Sequence, residues 1–253
     1  MKIALISDIH GNFDALTAVF EDIDRQGDIE SVYCLGDIVG YGPEPEACAD
    51  LVRRRCEVTL MGNHDFAMLH STLGFNPIAA VSIEYTTERL SPGPAADPVR
   101  AERWAWFRAL PERWELGEDL LVHASPRDNL FEYLLPDDAL YDPKKIAGVM
   151  RLVARNVFIG HTHRPGILTA EPRFLYPSEL GMAYDFRPGE KLIVNVSSVG
   201  QPRDRDPRAC YATVTEDGVA FRRVPYDIEA TVRKVLAIPE IDARCGLRLR
   251  EGR

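Results

Sequence analysis

Cysteine is scarce and unpaired in this chain. Cys34, Cys48, Cys56, Cys210 and Cys245 are odd in number, widely spaced and form no Cys-x-x-Cys pair. That argues against a disulfide framework and a zinc ribbon and points to a reducing cytoplasm. Long apolar runs are missing too: none approaches the ~20 residues that span a bilayer. The first stretch, Met1 to Ile6, meets the charged Asp8 too soon for a signal peptide. The expectation is a soluble cytoplasmic protein without a membrane partner. Positive charge is in deficit, with a formal net charge of −9, which disfavours broad nucleic-acid binding and means that a small anionic substrate would need local positive charge. No repeat, low-complexity tract or linker divides the 253 residues, so a single domain over 1–253 is expected.

What is present is mixed α/β patterning. Residues 2 to 7 are an apolar run, residues 13 to 25 carry helical spacing at Phe13, Leu16, Val19, Phe20 and Ile23, and residues 32 to 35 are apolar again. The unit repeats with a helix from about Pro45 to Arg54 and a strand from about Glu57 to Met61, so Asp8, Asp37 and Asn63 each fall just past a strand. Residues 76 to 110 read as two helical segments broken at Ser91-Pro92-Gly93-Pro94, with Trp104, Trp106 and Phe107 forming a packed face or a helical cap. Strands are expected again at Leu120 to Val122 and Val157 to Ile159, and a helix at Pro143 to Ala154. A strand-rich second half follows, with a hairpin turn at Asp217-Gly218 and a last helix from about Asp227.

Histidine is also rare, and its placement is informative. Of six histidines, all but His70 fall in five short pieces: Asp8-Ile9-His10, Gly36-Asp37, Gly62-Asn63-His64-Asp65, His123 and Gly160-His161-Thr162-His163. Alone, an Asp before a helix reads as an N-cap, and a His-x-His pair is more often a surface pair. Together the pieces supply the ligands of a two-metal site.

Their order and wording resemble the calcineurin-like metallophosphoesterase superfamily, within it the small single-domain prokaryotic phosphodiesterases. The resemblance extends through Gly36-Asp37-Ile38-Val39-Gly40-Tyr41-Gly42-Pro43, His123-Ala124-Ser125-Pro126-Arg127-Asp128 and Ser198-Val199-Gly200-Gln201-Pro202-Arg203-Asp204. It implies a four-layer α/β/β/α sandwich of two mixed β-sheets flanked by helices, where periodicity alone gives only mixed α/β. One departure is Asn195-Val196-Ser197-Ser198, where the group usually reads Asn-Pro-Gly-Ser; it puts a nearby loop conformation in question.

By motif matching, Asp37 bridges two divalent cations. Asp8, His10 and His163 complete the first position, and Asn63, His123 and His161 the second. Two such cations ~3.5–4 Å apart can clamp a phosphoryl group and generate hydroxide near neutral pH. Carboxylates reduce cation repulsion, imidazoles bind borderline metals, and the neutral Asn63 carbonyl avoids excess negative charge. Mn²⁺ is the first candidate, with Fe, Zn²⁺, Ni²⁺ or Co²⁺ as alternatives and Ca²⁺ disfavoured. His64 is expected to touch the phosphate and protonate the departing oxygen while a bridging hydroxide attacks phosphorus, with Asp65 orienting the imidazole. Asn12, Asn63, Arg127 and Arg203 are candidate substrate contacts; Arg127, Arg164 and Arg203 are open to three readings: phosphate binding, orienting carboxylates, and surface salt bridges. Gly36, Gly62 and Gly160 are read as backbone geometry beside the metals. The prolines and aromatics between Phe75 and Trp114 are candidates for the entrance.

The expected function is hydrolysis of a small phosphate ester, diester preferred and monoester open. Nucleic acid is not the expected substrate, and a homo-oligomer is left open. Asp37 is not followed by the Asp-Arg-Gly run of the protein-phosphatase and dinucleoside-polyphosphate hydrolase branches, which weakens both. The alternative is a non-catalytic scaffold of the same fold or a metal- or nucleotide-binding regulator; the retromer subunit of this fold lacks the catalytic histidine that this chain keeps as His64.

Overall fold

The computed structural model describes residues 1–93 and 97–253. Its strands form two six-stranded sheets. The first contains β1 (Ile3–Ile6), β2 (Ser31–Cys34), β3 (Val58–Thr59), β9 (Ala183–Asp185), β11 (Ala209–Val214) and β12 (Gly218–Val224), in the spatial order β3-β2-β1-β11-β12-β9. The second contains β4 (Arg113–Leu116), β5 (Asp119–Val122), β6 (Asn156–Ile159), β7 (Gly166–Thr169), β8 (Phe174–Leu175) and β10 (Leu192–Asn195), in the order β4-β5-β6-β10-β7-β8. β1, β2 and β3 run parallel, as do β5, β6 and β10, while the remaining neighbouring pairs are antiparallel. Both sheets are therefore mixed.

The helices are α1 (Phe13–Gln26), α2 (Pro45–Arg55), α3 (Asn63–Leu69), α4 (Pro77–Leu90), α5 (Pro98–Arg108), α6 (Asp138–Tyr141), α7 (Pro143–Met150), α8 (Ile228–Leu236) and α9 (Arg244–Leu247), the last running into a 3₁₀ turn at Arg248–Glu251. Alternation along the strands sorts the layers, because successive side chains leave opposite faces of a sheet. Ile3 and Leu5 pack between the sheets against Phe158, Leu192 and Val194. Ala4 and Ile6 point the other way, onto Leu16, Val19 and Phe20 of α1 and Val52 of α2. In the second sheet Val157, Ile159 and Ile193 face Ile146 and Val149 of α7. The result is the expected α/β/β/α sandwich.

The region 76–110 is two helices, as read from sequence; Pro94 of the break between them lies outside the described residues. α4 packs on α2 and α3, and α5 on α3 and α4, with Phe107 fully buried in the core that α1 and α2 share. They buttress the helix that carries Asn63 and His64. The sequence did not reveal the edge strands β4, β8 and β9, which are short and only partly buried and so carry little apolar alternation. All five cysteines are free thiols. No helix among the described residues is long and apolar enough to cross a membrane.

Candidate functional site

The C-terminal ends of the parallel strands from both sheets open onto one edge. β1 leads to Asp8 and His10, β2 to Asp37, β3 to Asn63, β5 to His123 and β6 to His161 and His163. The backbone at this edge is unusual: Asp8, His10, Asp37, His161 and His163 all have left-handed φ between 50 and 64°. That conformation is disfavoured for side chains with a Cβ and persists where the surroundings over-determine it. Here the loops are cross-tied. The amides of Ile9 and His10 donate to the Asp37 carbonyl at 2.8 and 3.0 Å, and the His161 amide donates to the Asp8 carboxylate at 2.9 Å, joining the two sheets.

Ligand-type atoms converge in three overlapping groups, each within 4.8 Å: Asp8, His10 and His163; His10, Asp37 and His64; Asp37, His123 and His161. Asp37 Oδ2 lies 3.7 Å from His10 Nε2 and 3.5 Å from His123 Nε2, between the two sets. Asn63 Oδ1 is 3.1 Å from His123 Nε2.

The donor set itself tests whether cations fit. His10 Nδ1 lies 3.0 Å from the Val39 carbonyl, His123 Nδ1 2.9 Å from that of Leu35, His163 Nδ1 2.6 Å from that of Gln201, and His161 Nε2 3.3 Å from that of Phe131. A carbonyl only accepts, so each outer nitrogen carries the proton and the inner nitrogen presents a lone pair. Those inner nitrogens face each other at 3.2 Å, His10 to His163 and His123 to His161. Lone pairs opposed at that distance repel unless a cation lies between them, so the residues fit divalent metals. Burial holds His10, His123 and His163 well below the usual histidine range and His161 down to about 4, keeping the rings neutral. Burial also pushes Asp8 up to about 7 and Asp37 well above the carboxylate range, with neighbouring carboxylates adding to the Asp37 shift.

A pH-dependent stability follows. Asp8 and Asp37 have folded pKa values above their unfolded ones, so without cations the fold is penalised as pH rises from the ordinary carboxylate range through their raised values. Bound cations displace those protons and remove the penalty. The melting-temperature gap between metal-loaded and chelated protein should widen by roughly 5 °C or more between about pH 5 and about pH 7. A gap independent of pH over that window, read by calorimetry, contradicts this.

His64 is the second residue of α3, and its amide donates to Asp37 Oδ1 at 2.8 Å. Its ring stands edge-on to His10 at 4.8 Å and lies 4.7 Å from Tyr41. Nδ1 is buried and unpartnered, facing Gly40, whose backbone φ is +86° and where a Cβ would collide with that nitrogen. Burial, then the Arg203 charge, hold this imidazole well below the usual range.

Three expected contacts have other partners. The Asp65 carboxylate does not engage His64. It accepts from the amides of Asp37, Ile38 and Gly62 at 2.8–3.0 Å and Val39 at 3.3 Å, so it shapes the loop that carries Asp37. Asn12 is buried and engaged within the fold: it caps α1 by accepting from the Ala15 amide at 3.1 Å and donates to the Gly200 carbonyl and Tyr226 hydroxyl. Its amide is used up by those bonds. Arg127 pairs with Glu132 near the surface. Arg203 does reach the site: its charge acts on Asp8, His10, Asp37, His64, His161 and His163. Arg164 is exposed and shares a neighbouring groove with Arg203, Arg205 and Arg208. His70 is exposed at the end of α3 against Phe66.

A cavity of about 350 Å³ opens over Asn63, His64 and His161, walled by Tyr41, Phe75, Phe131 and Tyr133. Tyr133 lies over the His161 ring at 4.0 Å. Among the described residues of the stretch from Phe75 to Trp114, Phe75 and Asn76 line it. Phe131 and Tyr133 follow the His123 motif in a loop without periodicity, so no sequence signal marked them.

The departure at Asn195-Val196-Ser197-Ser198 has a visible consequence. Ser197 occupies the position that is glycine in the usual motif and adopts φ 79°, while Asn195 holds the loop to the Gly160 carbonyl at 2.5 Å and the Thr162 hydroxyl at 2.9 Å. Left-handed backbone costs a non-glycine residue about 1 kcal/mol. Ser197→Gly should therefore stabilise the fold by about that much in denaturant unfolding; a destabilised variant contradicts the strain.

A family model for calcineurin-like phosphoesterases matches residues 1–165. Over 246 residues the chain is 33% identical to an uncharacterized protein of Methanocaldococcus jannaschii, covering 92% of this chain and 91% of that protein. A metallophosphoesterase from Sphaerobacter thermophilus superposes with a TM-score of 0.81 at 32% identity over 100% of both chains. A symmetrical bis(5′-nucleosyl)-tetraphosphatase of Delftia acidovorans is 29% identical over 167 residues, 62% of this chain and 53% of that enzyme.

Proposed function

This chain belongs to the calcineurin-like phosphoesterase family, and on that premise we propose that it is a single-domain hydrolase of small phosphate esters, with diesters preferred, working with two divalent cations. The observation that carries the reading is the pair of ligand sets meeting at Asp37, each imidazole fixed by a backbone carbonyl so that its lone pair faces inward. Asp8, His10, Asp37 and His163 would hold one cation, and Asp37, Asn63, His123 and His161 the other; Mn²⁺ is the first metal to test. When bound, such a pair supplies charge neutralisation for a phosphoryl group and acidifies water near neutral pH.

The chain's own residues do the rest. Arg203 brings positive charge to a protein that is acidic overall. The cavity wall of Tyr41, Phe75, Phe131 and Tyr133 gives an ester group an aromatic surface to pack against. His64 touches the bound phosphate and gives the departing oxygen its proton. In the free protein this ring is neutral, and the negative charge of the bound ester raises its pKa.

The test is hydrolysis of bis-p-nitrophenyl phosphate against p-nitrophenyl phosphate by chelated protein, before and after Mn²⁺ is restored. Metal-dependent turnover with the diester ahead is expected. A fully loaded protein inert towards both esters would make the chain a scaffold or a regulator, and a faster monoester would overturn the diester preference.

A further inference from the structure

The 3₁₀ turn at Arg248–Glu251 folds back from α9 and brings Arg248 to the metal edge. Its guanidinium carbon lies 4.5 Å from the centroid of the Tyr41 ring, and that of Arg203 lies 5.8 Å from the same ring. Tyr41 in turn contacts His10 at 4.9 Å and His64 at 4.7 Å. Two guanidinium groups thus gather around one aromatic ring beside the candidate catalytic histidine. Among the described residues neither has a carboxylate within ion-pair distance, although most other arginines near them do: Arg208, Arg223, Arg244 and Arg250 are each paired with an acid.

Buried nitrogen atoms on both side chains are unsatisfied. Arg248 Nε and Nη2 and Arg203 Nε have no hydrogen-bond partner, and Arg203 spends only Nη2 on the Gln201 amide oxygen at 2.8 Å. Buried donors of a charged group without a partner are costly, and two like charges set close together add repulsion. Burial, then Arg203, push the Arg248 guanidinium below its usual range, and its charge is felt at His10, His64 and His163. An arrangement this unfavourable in isolation becomes favourable once an anion accepts from both forks, since guanidinium–phosphate bonds are charge-assisted and bidentate.

We propose that Arg248 and Arg203 form a subsite for a second phosphate group of the substrate, adjoining the scissile phosphate that the cations hold. The inference rests on the hydrolase reading and narrows its substrate class to esters that carry two neighbouring phosphates. Tyr41 adjoins both groups: the Arg248 and Arg203 guanidiniums lie near its ring, which meets His10 edge-on and His64 at a tilt.

The experiment is calorimetric binding of adenosine 5′-monophosphate and of the non-hydrolysable adenosine 5′-(α,β-methylene)diphosphate to the metal-loaded full chain. The adenosine is common to both probes, so the ratio of affinities isolates the second phosphate. The wild-type protein should bind the diphosphate analogue at least ~10-fold tighter than the monophosphate. Arg248→Gln should weaken the analogue by roughly 10- to 100-fold and collapse the ratio towards one. Arg248→Lys, which keeps the charge and loses the fork, should fall between. Arg250→Gln removes the same charge from the same turn, but from a residue paired with Glu229 at the surface, and should keep the wild-type ratio; melting curves check that each variant is folded. The subsite is overturned if Arg248→Gln weakens both probes equally, or if Arg250→Gln reproduces its effect. Loss of bis-p-nitrophenyl phosphate hydrolysis by the loaded wild type would sink the hydrolase reading while leaving this ratio measurable.

Discussion

Asp37→Asn should reduce the bound metal from two ions per chain to at most one and lower kcat/KM by ~10³-fold or more, while making the metal-free protein more stable than wild type. The two effects have one cause. Asp37 lies between the two histidine sets and, without cations, is a fully buried carboxylate pressed by Asp8 and Asp65, its pKa forced well above the ordinary range by burial first and those neighbours next. An amide removes that charge and still accepts the His64 amide hydrogen bond through its oxygen. Because the folded pKa is raised, the gain in the metal-free state should be absent at low pH and grow as pH climbs above the ordinary carboxylate range. Thermal unfolding of chelated wild type and variant across pH, beside metal analysis of the loaded proteins, measures both. If chelated Asp37→Asn melts below chelated wild type at about pH 8, where the wild-type carboxylates are most strained, the electrostatic account of the site fails.

His64→Ala should lower turnover by ~10²–10⁴ on an ester with an alkoxide leaving group, and by much less on a nitrophenyl ester. A nitrophenolate departs without help from an acid, whereas an alkoxide needs the proton. The variant keeps the backbone bond from residue 64 to Asp37 Oδ1, so metal content should stay at the wild-type value. Gly40 offers an independent approach to the same atom: a Cβ there would collide with His64 Nδ1, and Gly40→Ala should reproduce the leaving-group-dependent loss with the imidazole still present. Equal losses on both esters, or loss of metal from His64→Ala, would remove His64 from the acid role.

The convergence of these groups was legible because its signal is local. Each candidate ligand follows closely on a strand, and parallel strands deliver their C-terminal ends to one edge, so Asp8, Asp37, Asn63, His123 and His161 could be placed at one edge from apolar runs and short motifs, while the roles proposed for them came with the family resemblance. The four layers were not readable from periodicity; they came with the family resemblance, and the alternation of Ile3 and Leu5 against Ala4 and Ile6 explains them afterwards.

The errors have a common origin in side-chain hydrogen bonding, which a motif does not encode. Asp65 stands beside His64 in sequence, but at the start of a helix its carboxylate turns back to four amides of the neighbouring loops. Asn12 lies beside the Asp8-His10 motif and is used as a helix cap. Arg248 carried no signal at all, because its position depends on how α8 and α9 fold back against α1 and Tyr41, a contact spanning most of the chain.

The central claim is a pair of cations sharing Asp37, and the most direct measurement is anomalous diffraction at the manganese edge from Mn²⁺-loaded crystals. The account predicts two peaks ~3.5–4 Å apart, one contacted by Asp8, His10, Asp37 and His163 and the other by Asp37, Asn63, His123 and His161. A single peak, or a second ion that His123 and His161 do not touch, contradicts it.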